Sequence, residues 1–206
     1  MVKSRRTPDQ SVRPATRQTS RPSQARIGSN GLLYPLDLVC TRAGAAIPRA
    51  TPVEPHRIPR PYRSLLVHDA PMTRTLEQFF GGRAVLRSLS AFSSGRSYFR
   101  RVLLAQASTG RPIGMGAIRM RLDVFSHRLR TRILTGEVPL GRILGEARFT
   151  YTSRVNAFLA VTPTPEMMGI FWMRAPRTLY GRRSELFRDD VKIADIVEVL
   201  PLVSVP

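Results

Sequence analysis

The strongest constraint on this chain is a long pair of apolar runs either side of a turn. Residues 98–107 read as a β-strand, Ser108-Thr109-Gly110-Arg111-Pro112 is rich in turn formers, and residues 113–122 read as the returning strand. A hairpin of this length commits the surrounding domain to antiparallel pairing. Further strand candidates lie at residues 149–152, 157–161 and 191–200, and residues 167–173 form another apolar run. Helical signals are fewer. Residues 73–80 place Leu76 and Phe80 four apart, with Thr73 able to cap the start and Gly81-Gly82 to end the helix. Residues 126–135 alternate Arg with Leu and Ile and suit a short helix, and residues 64–68 form a short apolar stretch. The expected class is α+β, a single antiparallel sheet with a few helices packed on it. No internal repeat is present.

Residues 1–60 differ in composition. They hold eight prolines (Pro8, Pro14, Pro22, Pro35, Pro48, Pro52, Pro55 and Pro59) with many Ser, Thr and Arg, and carry 11 basic against 3 acidic side chains. Too little apolar surface is available there to offset chain entropy. The expectation is a disordered basic extension, or in part an over-extended start, followed by one domain over residues 61–206. Residues 31–39 are the exception, apolar enough to dock on the domain. The start lacks the apolar core of a secretory signal, although its Arg and Ser content also suits an organelle transit peptide.

The formal net charge of +19 invites a nucleic-acid reading. Almost all of the positive charge is arginine, with lysine only at Lys3 and Lys192, and it is spread along the whole chain rather than gathered in a block. That distribution favours a small anionic partner over nucleic acid. Cys40 is the lone cysteine, so no internal disulfide forms, and His56, His68 and His127 have no metal-ligand spacing. No apolar run reaches the roughly 18 residues of a membrane span. Neither metal nor cofactor is expected, and the default location is cytoplasmic.

Several residues stand out as chemistry on apolar surroundings. Arg100 and Arg101 occupy one strand and alternation sends them to opposite faces, but both faces are apolar, so alternation cannot choose between them. Glu198 shares a strand face with Ala194, Ile196 and Leu200, where an unpaired carboxylate is expensive to bury; Asp195 is a competing acid on the other face. Gly181 in Tyr180-Gly181-Arg182-Arg183 marks either a positive φ or a tight packing point. Arg182 and Arg183 are candidate partners for Glu185 or Glu77. Gly114 and Gly116 flank Met115 in a strand without a following helix, which excludes a dinucleotide loop. Met167 and Met168, near Trp172, read as core or pocket wall.

Read together, Pro71-Met72-Thr73-Arg74-Thr75-Leu76-Glu77, Tyr98-Phe99-Arg100-Arg101-Val102-Leu103-Leu104, Pro139-Leu140-Gly141-Arg142-Ile143-Leu144, Leu179-Tyr180-Gly181-Arg182-Arg183-Ser184-Glu185-Leu186 and a closing strand with Glu198 occur in one fixed order. That order resembles the chorismate pyruvate-lyase family, whose members cut chorismate into 4-hydroxybenzoate and pyruvate. The resemblance covers roughly residues 62–201. It implies a chorismate lyase-like fold, chorismate as the substrate, no cofactor, and a monomer. Arg100 would hold the ring carboxylate, helped by backbone N–H groups and apolar walls at Met72 and Leu140. Glu198 would act at the hydroxyl and ether end, and Arg142 and Arg182 are further candidates for substrate contact. Two departures from the family pattern stand out: Arg101 occupies a place where an acid can stand, and Glu198 lies one residue out of step with the following Leu-Pro. A closely similar fold serves as the effector domain of some transcription regulators. The alternative reading is a non-catalytic binding domain for an aromatic carboxylate; such regulators carry an N-terminal winged helix, for which residues 1–60 hold too many prolines, and that counts against it.

Overall fold

A computed structural model describes residues 29–202. Residues 1–28, nearly half of the expected extension, and residues 203–206 lie outside the described residues. Seven strands form one sheet: β1 (Arg49–Pro52), β2 (Ala84–Ser94), β3 (Ser97–Gln106), β4 (Pro112–Arg121), β5 (Thr152–Thr162), β6 (Leu179–Arg188) and β7 (Val191–Leu200). Their spatial order is β1-β5-β6-β7-β4-β3-β2, and every neighbouring pair is antiparallel. The expected α+β class with a single antiparallel sheet is therefore the observed one. The β3–β4 hairpin runs as expected, with Gly110 at φ 69 supplying the left-handed residue its turn needs.

The helices are α1 (Ser29–Leu32), α2 (Leu36–Arg42), α3 (Tyr62–Leu66), α4 (Met72–Phe80), α5 (His127–Leu134), α6 (Leu140–Glu146) and α7 (Pro165–Ile170). Pro71, not Thr73, occupies the N-cap of α4, and left-handed Gly81 closes it at φ 64. Ser126 caps α5 by accepting from the Leu129 N–H. One expected element differs: residues 149–151 are not strand. Of the short apolar stretch 64–68, residues 64–66 lie in α3.

Both faces of the sheet are covered. On one, Leu32, Leu36 and Cys40 from α1 and α2 and Leu33 between them, with Met167 and Phe171 at α7, pack on Leu103, Met115, Leu159, Val161, Val197 and Val199. This corrects the expectation of a disordered residues 1–60 for the part that is described: residues 29–60 contribute two helices and edge strand β1. The dense apolar cluster between Pro35 and Pro48 outweighs the proline content, because proline is compatible with the ends of short helices and with an edge strand. The other face carries α3, α4, α5 and α6, packed through Leu65, Leu66, Met72 and Leu76 at one end and Ile133, Leu140, Ile143 and Leu144 at the other. A cavity lies between the two groups.

Candidate functional site

The cavity floor is the sheet and its roof is the starts of α4 and α6. Along β3 the side chains of Arg100, Val102 and Leu104 enter it; β4 contributes Gly114, Gly116 and Ile118, β6 contributes Arg182, Ser184 and Leu186, and β7 contributes Ile196, Glu198 and Leu200. Each set follows the two-residue alternation of a strand. The two glycines matter because they leave the middle of the floor bare. The space is about 930 Å³ with its open mouth included.

At one end stands Arg100, 1% exposed. Its Nη2 donates to the Val138 carbonyl at 3.4 Å, while Nε and Nη1 are buried with no hydrogen-bond partner. Among the described residues no carboxylate pairs with it. Burial pushes its pKa down, opposed only by nearby Tyr98. A guanidinium kept dry without a counter-charge is costly, and the natural remedy is an anion placed against it. Two helix starts converge on the same space: Pro71, Met72 and Thr73 from α4, Pro139, Leu140 and Gly141 from α6. In each helix the proline carbonyl receives the first intrahelical bonds, from Arg74 and Thr75 in α4 and from Arg142 and Ile143 in α6. The N–H groups of the two residues after each proline precede that ladder, as first-turn donors do. A Cβ on Gly141 would sit 3.6 Å from Pro71 Cβ, so the two starts are in close packing.

At the other end Glu198 is paired. Arg182 Nε donates to its Oε2 at 2.8 Å, and Arg182 Nη1 donates to the carbonyls of Leu66 (3.3 Å) and His68 (3.0 Å). The expected partner of Arg182 was Glu185 or Glu77; instead β6 and β7 set Arg182 directly opposite Glu198. Tyr151 also lines the cavity, and burial together with the charge of Glu198 pushes its hydroxyl pKa up. Nothing in the sequence singled out Tyr151, which lies in the loop before β5. Ser153 and Ser184 are likewise lining residues that the sequence did not distinguish.

The register explains this layout. Glu198 pairs with Gly116 of β4, and Arg100 pairs with Ile118 of the same strand. Arg100 and Glu198 are thus two strands apart, about 10 Å across the sheet, and offset by two residues along it. The β4–β7 pairing runs from Met115↔Val199 to Met120↔Ala194 without a register shift. Gly181 is the tight packing point, not a positive-φ residue. A Cβ there would collide with the Glu198 carbonyl oxygen and lie 3.3 Å from Val199 Cα.

Other candidates fall elsewhere. Arg101 points to the opposite face and binds Glu166 bidentately, Nη1 to Oε2 at 2.9 Å and Nη2 to Oε1 at 2.6 Å, tying α7 to the sheet beside Cys40. Asp195 is buried on that same side of β7, held by Arg119 at 3.1 Å and Lys192 at 2.8 Å. Arg142, a candidate for substrate contact, is outside the cavity. It pairs with Glu77 and reaches the Ala84 carbonyl at 3.4 Å, because its place on α6 turns it toward α4 rather than the floor. Among the described residues no cluster of His, Cys, Asp or Glu could hold a metal, and no helix is long and apolar enough to cross a membrane.

No protein-family model matches the chain. No curated protein matches it either. Solved structures do resemble it in part. One is gene product SA0254 from Staphylococcus aureus, at TM-score 0.48 and 6% identity, covering 66% of this chain and 90% of that one. Another is the effector domain of PhnF from Mycobacterium smegmatis, at TM-score 0.45 and 14% identity, covering 64% and 88%. A third is the C-terminal domain of the histidine utilization repressor from Pseudomonas syringae, at TM-score 0.41 and 10% identity, covering 58% and 92%.

Proposed function

We propose that the cavity binds a small ring-bearing carboxylate, with the carboxylate on Arg100 and the helix-start N–H groups and the far end of the ring at Glu198 and Arg182. The observation that carries this is the Arg100 guanidinium, 1% exposed with Nε and Nη1 unpaired. A planar fork of this kind matches a carboxylate bidentately. The apolar walls suit a ring, and the separation of the two polar ends suits a ring substituted on opposite sides.

The finer reading is that the ligand is chorismate and that the site releases pyruvate from it. The resemblance supports it, since Met72, Arg100, Leu140 and Glu198 all line this one cavity. In this reading the proton on the hydroxyl-bearing ring carbon leaves to a base at the Glu198 end. The ring–ether C–O bond breaks as the ring becomes aromatic, and the departing pyruvate enol takes up a proton. No electron acceptor is required. Glu198 would serve as the acid/base group, and Arg182 would hold it in place.

Two measurements on the full chain separate the levels of this proposal. Calorimetric titration with 4-hydroxybenzoate should show saturable binding that Arg100→Gln reduces by about a hundredfold, the loss of a desolvated charge-assisted pair. Incubation with chorismate, followed by the absorbance of 4-hydroxybenzoate, reports the lyase. Binding without product would make the domain a non-catalytic receptor for aromatic carboxylates. Neither binding nor product would overturn the reading of the cavity itself.

A further inference from the structure

The one tryptophan of the chain is placed where folding gains little from it. Trp172 follows α7 at φ 54 and is 65% exposed. Its N–H donates to the Gly169 carbonyl and the Met173 N–H to the Met168 carbonyl. That is the Schellman pattern, with Trp172 at the position glycine usually takes. A side chain in the left-handed region costs about 1 kcal/mol, and an indole that stays in water returns little burial for that cost.

What surrounds the indole is cationic. A groove at the end of the sheet where β4 and β6 begin and β7 ends is lined by Trp172, Met173, Arg111, Arg174, Arg177 and Leu202. The three arginines are exposed. Among the described residues none of them has a carboxylate partner. Arg111 rests over the Phe80 ring at 5.7 Å, which leaves its charge unneutralised. The groove includes no acidic residue, and it is separate from the cavity of Arg100.

We propose that this groove binds single-stranded nucleic acid, with a base stacked on Trp172 and phosphates held by Arg111, Arg174 and Arg177. An exposed flat ring among unpaired guanidinium groups is the combination that single strands need, since stacking tolerates any base and arginine grips the backbone. An anionic membrane is the weaker fit: Trp172 and Leu202 are the only exposed large hydrophobic side chains lining the groove, too few for an apolar face to enter a bilayer.

The indole reports on its own site. Titrating the full chain with oligothymidylate at low salt should quench the fluorescence of Trp172 to saturation. Binding of a labelled oligonucleotide should weaken about tenfold in Trp172→Ala and largely recover in Trp172→Phe, which keeps a stacking ring. Arg174→Gln with Arg177→Gln should weaken it about tenfold and flatten its salt dependence. Removing the same charge at exposed Arg57 and Arg128 should change affinity less than about twofold, if the site and not the net charge is responsible. The proposal is overturned if Trp172→Ala binds as the parent does, or if the Arg57/Arg128 pair loses as much as the groove pair. It is also overturned if phosphatidylglycerol vesicles quench the indole and the oligonucleotide does not.

Discussion

Arg100 and Arg101 are neighbours in sequence with opposite economies. Arg101 is satisfied by two bonds to Glu166 and anchors a helix; Arg100 is buried without a counter-charge. Replacing Arg100 by an apolar side chain removes a desolvated charge, which commonly stabilises a protein. Arg100→Met should therefore raise the thermal midpoint by about 3 °C while abolishing 4-hydroxybenzoate binding. Arg101→Met should lower stability by about 2 kcal/mol and leave the cavity's affinity near that of the parent. Calorimetric scans and titrations of the two variants check this. If Arg100→Met is markedly less stable than the parent, Arg100 is a structural residue and not a binding one. Alternation along the strand separated the two arginines in advance, but which face was the cavity depended on helices 20 or more residues away in sequence, α4 on one side and α6 on the other.

The β6–β7 pair is the element that assembles the far end of the site. At Gly181 the two backbones are close enough that any Cβ would press on the Glu198 carbonyl. Gly181→Ala should cost about 3 kcal/mol and weaken ligand binding as well, because separating the strands pulls Arg182 from Glu198. Urea unfolding and the same titration measure both effects. A variant with parent-like stability would show that the strands part locally at no cost. The sequence marked Gly181 as special without saying why. Only the pairing of Gly181 with Val199 next to Glu198 turns that mark into a packing requirement. In the same way Arg182 and Glu198 were each visible as candidates, and their ion pair was not, because strand register couples residues 16 apart.

At the scale of the whole molecule, α1 and α2 complete the core on the sheet face opposite the cavity. Leu32, Leu33, Leu36, Val39 and Cys40 are each 7% exposed or less. Burying a large aliphatic side chain contributes about 1.5–3 kcal/mol, so these positions together rival the whole stability of an ordinary domain. A chain that starts at residue 45 should fail to give a cooperative thermal transition, or lose well over 10 °C from the parent midpoint, with Leu103, Met115 and Val199 exposed. Circular dichroism and light scattering of the shortened chain test it. An unchanged midpoint would mean that the sheet face is stable uncovered.

Local chemistry in the chain was sufficient for the antiparallel hairpin, for the glycine stop of α4, and for the inward alternation that put Arg100 and Glu198 on apolar faces. Those features depend on neighbours within a few residues, where propensity and period two or 3.6 operate. Tertiary structure decided the rest. The proline-rich segment after residue 29 became core because its few leucines met a sheet face built from residues more than 60 positions later. Arg142 left the site because α6 packs beside α4 and offers it Glu77, and Tyr151 joined the site from a loop whose aromatic–threonine alternation reads as a strand. Each outcome rests on contacts between distant segments, and a one-dimensional pattern encodes which faces are apolar but not which faces meet.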